Sequence, residues 1–303
     1  MQPEPTLRQL RHFLSLAEHL HFSRAAEACL ITQSSLSASI KELETGLATA
    51  LFERTKRSVV LTPLGRQMVA AAKDVIARVD DLTDMVRAAG KPLSGDLHLG
   101  VIPTIGPFLL PRVMSGLRHS YPELRLYLRE QPTASLLRQL ADGDLDLALL
   151  ALPYEVDNFD VFEFANDPFM AVFPRGHALG EFETMTPSRL SNEALLILEK
   201  SNCLADQTLA MGKFDDPGRV NRFHATSLHT LVQMVDNGIG VCVLPKMAID
   251  AGILRGLKLD FRPFSSPKAF RRIALVWRKT SRRVDEFQML GHFLRDELGT
   301  PVH

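Results

Sequence analysis

The sequence predicts an α/β chain in three parts: a small helical unit closed by a hairpin, one long helix, and two α/β subdomains facing each other across a cleft. Three observations carry this. From residue 91 onward, strand-like apolar runs alternate with helical ones, the pattern of βαβ units and a parallel sheet. Between Phe22 and Leu47, two short helical patterns are separated by only "LIT", a tight two-helix corner. Between Met68 and Ala89, apolar residues recur every 4 and 3 residues in turn, the seam of a coiled coil.

Composition sets the outer limits. The chain has 303 residues, 46% of them hydrophobic, with 35 basic and 35 acidic side chains. That length suits two or three domains with cores of their own. No apolar run approaches the roughly 20 residues of a membrane span, so no membrane partner is expected. The opening "MQPEPTLRQLRHF" has no apolar signal core, which argues against secretion and for a cytoplasmic location. Cys29, Cys203 and Cys242 are too few and too scattered for a disulfide framework or a zinc cluster. No metal or cofactor is expected. With no net charge overall, any contact with nucleic acid must come from a local basic cluster.

Residues 1–63 form the first part. Ser23 is placed to cap a helix whose apolar face is Ala25, Ala26, Ala28 and Cys29. Thr32 or Ser34 is placed to cap a second, with Leu36, Ile40, Leu43 and Leu47 on one face. Small residues at Ala25 and Ala26 let the two helices approach closely. The second helix then exposes Gln33, Ser34, Ser37, Ser39 and Lys41, short hydrogen-bonding side chains of the kind a helix needs in a major groove. In "LFERTKRSVVLTPLG", Arg54, Lys56 and Arg57 fall at the tip of a predicted hairpin. A basic tip beside such a helix is a wing that touches phosphates or a minor groove. The candidate DNA-binding residues are therefore Thr32, Gln33, Ser34, Ser37, Lys41, Arg54, Lys56 and Arg57.

Residues 64–90 form one helix. Met68, Ala72, Val75, Val79, Leu82, Val86 and Ala89 make an a/d seam, and a regular 3.5-residue period calls for a partner helix. A dimer carries two recognition helices and reads two half-sites on double-stranded DNA.

Residues 91–303 hold the two subdomains, one about 91–165 with 269–303, the other about 166–268. Thr104, Thr133, Thr226 and Ser227 each fall where a strand passes into a helix. Each is either a helix cap or, if they converge on one cleft, part of a site for an anion or polar ligand at the carboxyl ends of strands. Cys203 follows the apolar run "ALLILE" and opens a helical segment. Cys242 in "GIGVCVLP" and Cys29 among alanines read as small hydrophobes.

The stretch "FLSLAEHLHFSRAAEACLITQSSLSASIKELE" followed by "LFERTKRSVVLTPLG" closely resembles the winged helix-turn-helix of LysR-type transcriptional regulators. Phe13, Phe22, Ala25, Ala26, Gln33, Ser37, Ile40, Leu43, Glu44, Leu51, Phe52, Arg54, Thr62 and Gly65 carry the likeness. Ser35 and Ser39 depart from it, and Ala48 stands where a glycine is common. The resemblance implies a C-terminal two-subdomain effector domain like that of periplasmic binding proteins. It also implies a homodimer or homotetramer, contact with RNA polymerase, and a cytoplasmic, nucleoid-associated life.

"GDLHLGVIPTIGPFLLPRV", "LLILEKSNCLADQTL" and "FHATSLHTLVQMV" further resemble the OxyR-type peroxide-sensing activators. By that resemblance, Cys203 in "CLADQ" matches the peroxidatic cysteine, Thr104 and Thr133 match threonines that help bind peroxide, and Arg271 matches the arginine beside them. Two departures bear on the chemistry. A resolving cysteine is common nine residues after the first, and here that position is Gly212. A histidine commonly precedes the first cysteine, and here it is Asn202. Cys203 keeps a helix N-terminus, Lys200 and Arg271 as groups that lower a thiol pKa. Its sulfenic acid would need another molecule's thiol, or direct reduction. Two readings stay open: a redox or peroxide response at Thr104, Thr133, Asn202, Cys203, Thr226 and Arg271, or a pocket that has come to bind a small metabolite.

Other function classes fit less well. A solute-binding protein would share the paired subdomains but has no use for a wing. No Gly-rich phosphate loop, HExxH or GxSxG motif is present, so no enzyme activity is expected.

Overall fold

A computed structural model describes residues 4–54, 58–88, 92–199, 202–212 and 220–299. The chain divides into two compact units at Val86/Arg87.

In the first unit, α1 (Leu7–His19), α2 (Phe22–Ala28) and α3 (Gln33–Gly46) precede the two-stranded hairpin β1 (Phe52–Arg54) and β2 (Val59–Leu61). Phe13, Leu16, Ala25, Leu36, Ile40 and Leu51 are fully buried together, so the apolar periodicity of α3 faces the core as its spacing requires. Thr6 and Gln9 form a capping box on α1, and the Thr32 side chain caps α3 by accepting from the Ser35 N–H. Ser23 is not a cap. Helix α2 starts two residues earlier, at Phe22 with His21 in the capping position, and the Ser23 hydroxyl donates instead to Gln33 Oε1 at 3.0 Å.

Helix α4 (Pro63–Ala88) follows the hairpin. The predicted seam splits in use. Ala72 is buried in the first unit's core, with Met68, Val69 and Ile76 against it, so the first two seam positions serve their own chain. Val75 and Leu82 are 44% and 60% exposed. Gly65 explains why the helix can start so close to the hairpin: a Cβ there would lie 2.3 Å from the Leu51 carbonyl oxygen.

The second unit is built on one mixed sheet in the order β4 (Leu124–Glu130), β3 (Gly95–Val101), β5 (Leu147–Leu152), β11 (Phe270–Arg278), β6 (Phe159–Pro174), β9 (Val241–Pro245), β7 (Leu195–Leu198), β8 (Val220–Ala225), with β10 (Leu259–Pro263) paired to β6. The parallel pairing expected from the βαβ pattern is present, within a mixed sheet. Pairs β3–β4, β3–β5, β7–β8 and β7–β9 are parallel, but β6 and β11 run antiparallel to their neighbours. The reason is connectivity: β6 pairs with β11 through Pro168 and with β9 from Phe169 onward, so one strand serves both subdomains. Helices α5 (Gly106–Ser120), α6 (Thr133–Asp142), α8 (Cys203–Gly212), α9 (Leu228–Asp236) and α11 (Val284–Leu298) lie where the periodicity predicts them; α7 (Pro187–Leu190) and α10 (Lys246–Asp250) are additional short turns. At the unit's start, the Glu286 carboxylate accepts from the buried Leu93 N–H at 3.1 Å and pairs with Arg283 at the same distance.

One carboxylate ties the hairpin to α3. Glu44 on α3 accepts from the N–H groups of Leu51 at 2.8 Å and Phe52 at 3.1 Å, and its other oxygen takes the Arg54 guanidinium at 2.7 Å. Glu44→Ala strands two backbone donors, at about 1–3 kcal/mol for each left unsatisfied. Chemical denaturation followed by circular dichroism should show an earlier transition for this variant; an unchanged midpoint would show that the hairpin is held by other means.

Candidate functional site

The cleft residues follow the carboxyl ends of parallel strands. Thr104 lies in the turn between β3 and α5, Thr133 is the first residue of α6 after β4, and Cys203 is the first residue of α8 after β7. In an open α/β sheet this is where ligands collect. Neither threonine caps its helix: Ile105 and Pro132 occupy the capping positions, with no side-chain cap bond. The hydroxyls are therefore free for other work. Ser227, in contrast, caps α9 by accepting from the Thr230 N–H, and Thr226 is exposed.

Arg271 joins the site to the sheet. It is completely buried and stands directly across from Asp167 in the β11–β6 register. Its Nε and Nη2 each donate to Asp167 Oδ2 at 3.0 Å. Its Nη1 donates to Thr104 Oγ1 at 2.8 Å, and Nη2 donates to the Thr104 carbonyl at 2.9 Å. The second Asp167 oxygen accepts from the Met247 N–H, at the start of α10, at 2.8 Å. Thus four of the five guanidinium donors are committed by these bonds, and both carboxylate oxygens are satisfied.

Cys203 is buried at 6% exposure. Thr133 is also buried, and its hydroxyl has no hydrogen-bond partner; it lies beside the Cys203 thiol, where it favours the thiolate. Burial pushes the thiol above its ordinary range, and this outweighs the pull of the Arg271 charge, the Thr133 hydroxyl and the Cys203 N–H; Asp206 adds to the upward shift. The helix N-terminus and the cation named from the sequence as groups that lower the thiol therefore do not compensate for loss of water. Asn202 is half-buried and its carbonyl accepts from the Ala205 N–H. Lys200 lies outside the described residues. Cys242 is fully buried in β9, and desolvation drives its thiol far upward; Cys29 is half-buried at the end of α2.

Asp167 and Gln207 were not singled out from the sequence. An acidic residue beside the apolar run "PFMAVFP" is the one signal for Asp167, since a charge there must be paired. Gln207 lies one turn after Cys203 on α8 and donates to the Ala151 carbonyl at 3.4 Å, while its Oε1 is buried and unpaired. It borders a cavity of about 300 Å³ with Pro153, Phe169, Phe264, Lys268 and Phe270. A cavity of about 530 Å³ between the start of α1 and α3 touches none of the cleft residues.

On α3, Thr32, Gln33, Ser34 and Lys41 are exposed and Ser37 is half-buried. Ser39 instead turns toward α1, where it meets His12 Nδ1 at 2.8 Å. Arg54 is corrected from hairpin tip to strand: besides its bond to Glu44, its guanidinium lies 5.1 Å from the Phe22 ring centre. Lys56 and Arg57 lie outside the described residues. Among the described residues, no cluster of His, Cys, Asp and Glu is arranged to hold a metal ion, and no helix is long and apolar enough to cross a membrane.

Residues 7–66 match the model of the bacterial regulatory helix-turn-helix protein, lysR family, and residues 90–299 match that of the LysR substrate binding domain. The chain belongs to the LysR family. It is a LysR-type DNA-binding transcriptional regulator. A hydrogen peroxide-inducible genes activator of Dickeya chrysanthemi is 37% identical to it, over 96% of this chain and 95% of that protein. Full-length OxyR of Pseudomonas aeruginosa, solved as a cysteine-to-aspartate variant, superposes with a TM-score of 0.79 at 32% identity, over 97% of this chain and 95% of that one. A cysteine-to-serine variant of Corynebacterium glutamicum OxyR, solved with hydrogen peroxide bound, gives 0.67 at 33% identity over 99% and 94%. The LysR-type cleft here presents a thiol, two hydroxyls and a guanidinium within one buried cluster.

Arg271→Met leaves Asp167 as an unpaired buried charge, which costs about 3–5 kcal/mol. The urea midpoint of the second unit should fall strongly in this variant. A midpoint within error of the parent would mean that the pair is not the structural tie its geometry indicates.

Proposed function

We propose that this regulator senses hydrogen peroxide at Cys203 by a single-cysteine route, and acts as a homodimer or homotetramer on double-stranded DNA with paired half-sites. The observation that carries the reading is the buried, unpartnered Thr133 hydroxyl facing the Cys203 thiol beside the Thr104–Arg271 pair. A molecule the size of peroxide, which both donates and accepts hydrogen bonds, suits those hydroxyls and the remaining guanidinium donor. The relatives' names agree: they include peroxide-inducible activators and a peroxide-bound structure.

In the reaction, sulfur attacks one peroxide oxygen and the O–O bond breaks. The departing oxygen leaves as water, so RSH and H2O2 give RSOH and H2O. With Gly212 at the position of the usual second cysteine, a small-molecule thiol condenses with the sulfenic acid, giving a mixed disulfide and a second water. A second equivalent of that thiol then restores Cys203. The changed residue shifts one subdomain against the other, which alters the spacing of the recognition helices and the contact with RNA polymerase. Gln33, Ser34, Ser37 and Lys41 read bases, while Thr32, Lys56 and Arg57 set position and phosphate contact. Arg54 acts by holding the wing.

A second reading is a small metabolite in place of peroxide, favoured by the raised thiol and by the cavity next to Gln207. Both readings are tested by treating the protein with peroxide, trapping sulfenic acid with a carbon nucleophile, and mapping adducts by mass spectrometry beside Cys203→Ser. The peroxide reading expects an adduct on Cys203, a changed DNA footprint, and loss of both in the variant. A footprint that responds to a metabolite equally in both proteins, with Cys203 unmodified by peroxide, would replace it.

Thr133→Val separates chemistry from stability. Removing a buried hydroxyl that lacks a full partner should leave stability unchanged or raise it by about 1 kcal/mol. Oxidation of Cys203 should slow, as stopped-flow with peroxide would measure. Because the thiol lies above its ordinary range, oxidation should accelerate as pH rises from 7 to 9. A flat profile would indicate that Cys203 reacts as a pre-formed thiolate.

A further inference from the structure

Asp167 stands behind the site and touches none of its reacting atoms. It lies on β6 at 3% exposure, receives two hydrogen bonds from Arg271 and a third from the Met247 N–H, and faces Arg271 across the sheet. A guanidinium alone would need only an acceptor to hold it, and backbone carbonyls supply acceptors without charge, as the Thr104 carbonyl does here. A full carboxylate does something more: it cancels the charge.

We propose that Asp167 is a positioning residue with a restraining effect: it aims Arg271 at Thr104 and neutralises it, so that the arginine organises the peroxide pocket without activating Cys203. The inference rests on the reading of Cys203 as the reacting sulfur. The other groups that act on the thiol are Asp206 on its own helix, which opposes ionisation, and the Thr133 hydroxyl on α6, which favours it. Burial raises the thiol most, and how far that is offset is set by how much of the Arg271 charge is left uncancelled. The sensor is thereby kept as a thiol at neutral pH, and its threshold for peroxide is set by a residue one shell removed from sulfur.

Asp167→Asn tests this at nearly constant shape. The asparagine oxygen can keep the Met247 N–H, which turns its amide nitrogen toward Arg271. The guanidinium then loses both the acceptor and the counter-charge, and its field on Cys203 grows. Thiolate absorbance near 240 nm, titrated with the Cys203→Ser protein subtracted, should show a midpoint lowered by about one pH unit. Tenfold more thiolate, offset by its weaker nucleophilicity, gives roughly threefold faster oxidation by peroxide at pH 7. Asp167→Glu retains the charge and should titrate with the parent.

An Asn variant that folds with an unchanged or higher midpoint, or a Glu variant shifted as far as Asn, would overturn the proposal. If the Asn variant does not fold, the Glu variant decides: a midpoint at the parent's value supports the role of charge, and a shifted one removes it. The titration needs no peroxide. Failure of Cys203 to oxidise in the parent protein would therefore sink the sensing reading while leaving the role of Asp167 separately measurable.

Discussion

Arg271 has no exposed surface, so its charge must be met inside the protein. In a medium of low polarity a lone guanidinium would be too costly to bury. Asp167 meets it, and the consequences run outward from that pair. Because Arg271 and Asp167 are cross-strand neighbours on β11 and β6, the pair fixes the part of the sheet where both strands leave one subdomain for the other. Because Arg271 also grips the Thr104 hydroxyl and carbonyl, it orients the turn after β3. Because Asp167 holds the Met247 N–H, the start of α10 is tied to the same point. A chemical change beside Arg271 is therefore felt by elements of both subdomains, which is what a switch built on relative subdomain position requires.

The same pair explains the state of the sulfur. A cysteine at a helix N-terminus near an arginine ordinarily ionises easily. Cys203 has both features, yet burial pushes its thiol upward. Arg271, most of whose donors point at Asp167 and Thr104, opposes that shift only in part. Desolvation then has the larger effect.

Much of this architecture was legible in the sequence. The helix over Val284–Leu298, the buried strand around Cys242 and the corner before Thr32 all follow from periodicity and capping chemistry. Thr104, Thr133 and Cys203 stood out by their places at strand-to-helix junctions, Arg271 was named only by the family likeness, and the structure brings the four together. What escaped was of two kinds. The first half of β6 carries Asp160, Glu163, Asn166 and Asp167, which break the apolar alternation that marks a strand. Asp167 itself was hidden because a buried ion pair depends on register between distant strands. The misplacement of Arg54 has a similar origin: hairpin boundaries shift by a residue or two, and its partner Glu44 lies ten residues earlier on a helix. Whether a threonine caps a helix or faces a ligand was also undecidable from spacing, since both roles occupy the same place in the chain.

Gly212 narrows what a peroxide signal can be in this chain. In a two-cysteine sensor, the oxidised state is held by a covalent link within the protein, and its lifetime depends on how that link is reduced. With glycine at the matching position, α8 runs on through Gly212, and the other two cysteines offer poor substitutes: Cys242 is sealed within β9, and Cys29 belongs to the other compact unit. Until a small-molecule thiol condenses with it, the sulfenic acid is then held by groups already present around the sulfur. Among the described residues, Thr133 and Arg271 are side chains with hydrogen-bond donors that act on the sulfur, and of these two Arg271 carries charge. A sulfenate would compete with Asp167 for the guanidinium, and the outcome of that competition would determine whether oxidation moves the strands or leaves them in place. With Cys203 as the reacting sulfur, as proposed, the first step of the switch is a choice of partner by one buried arginine, in place of a bond between two cysteines.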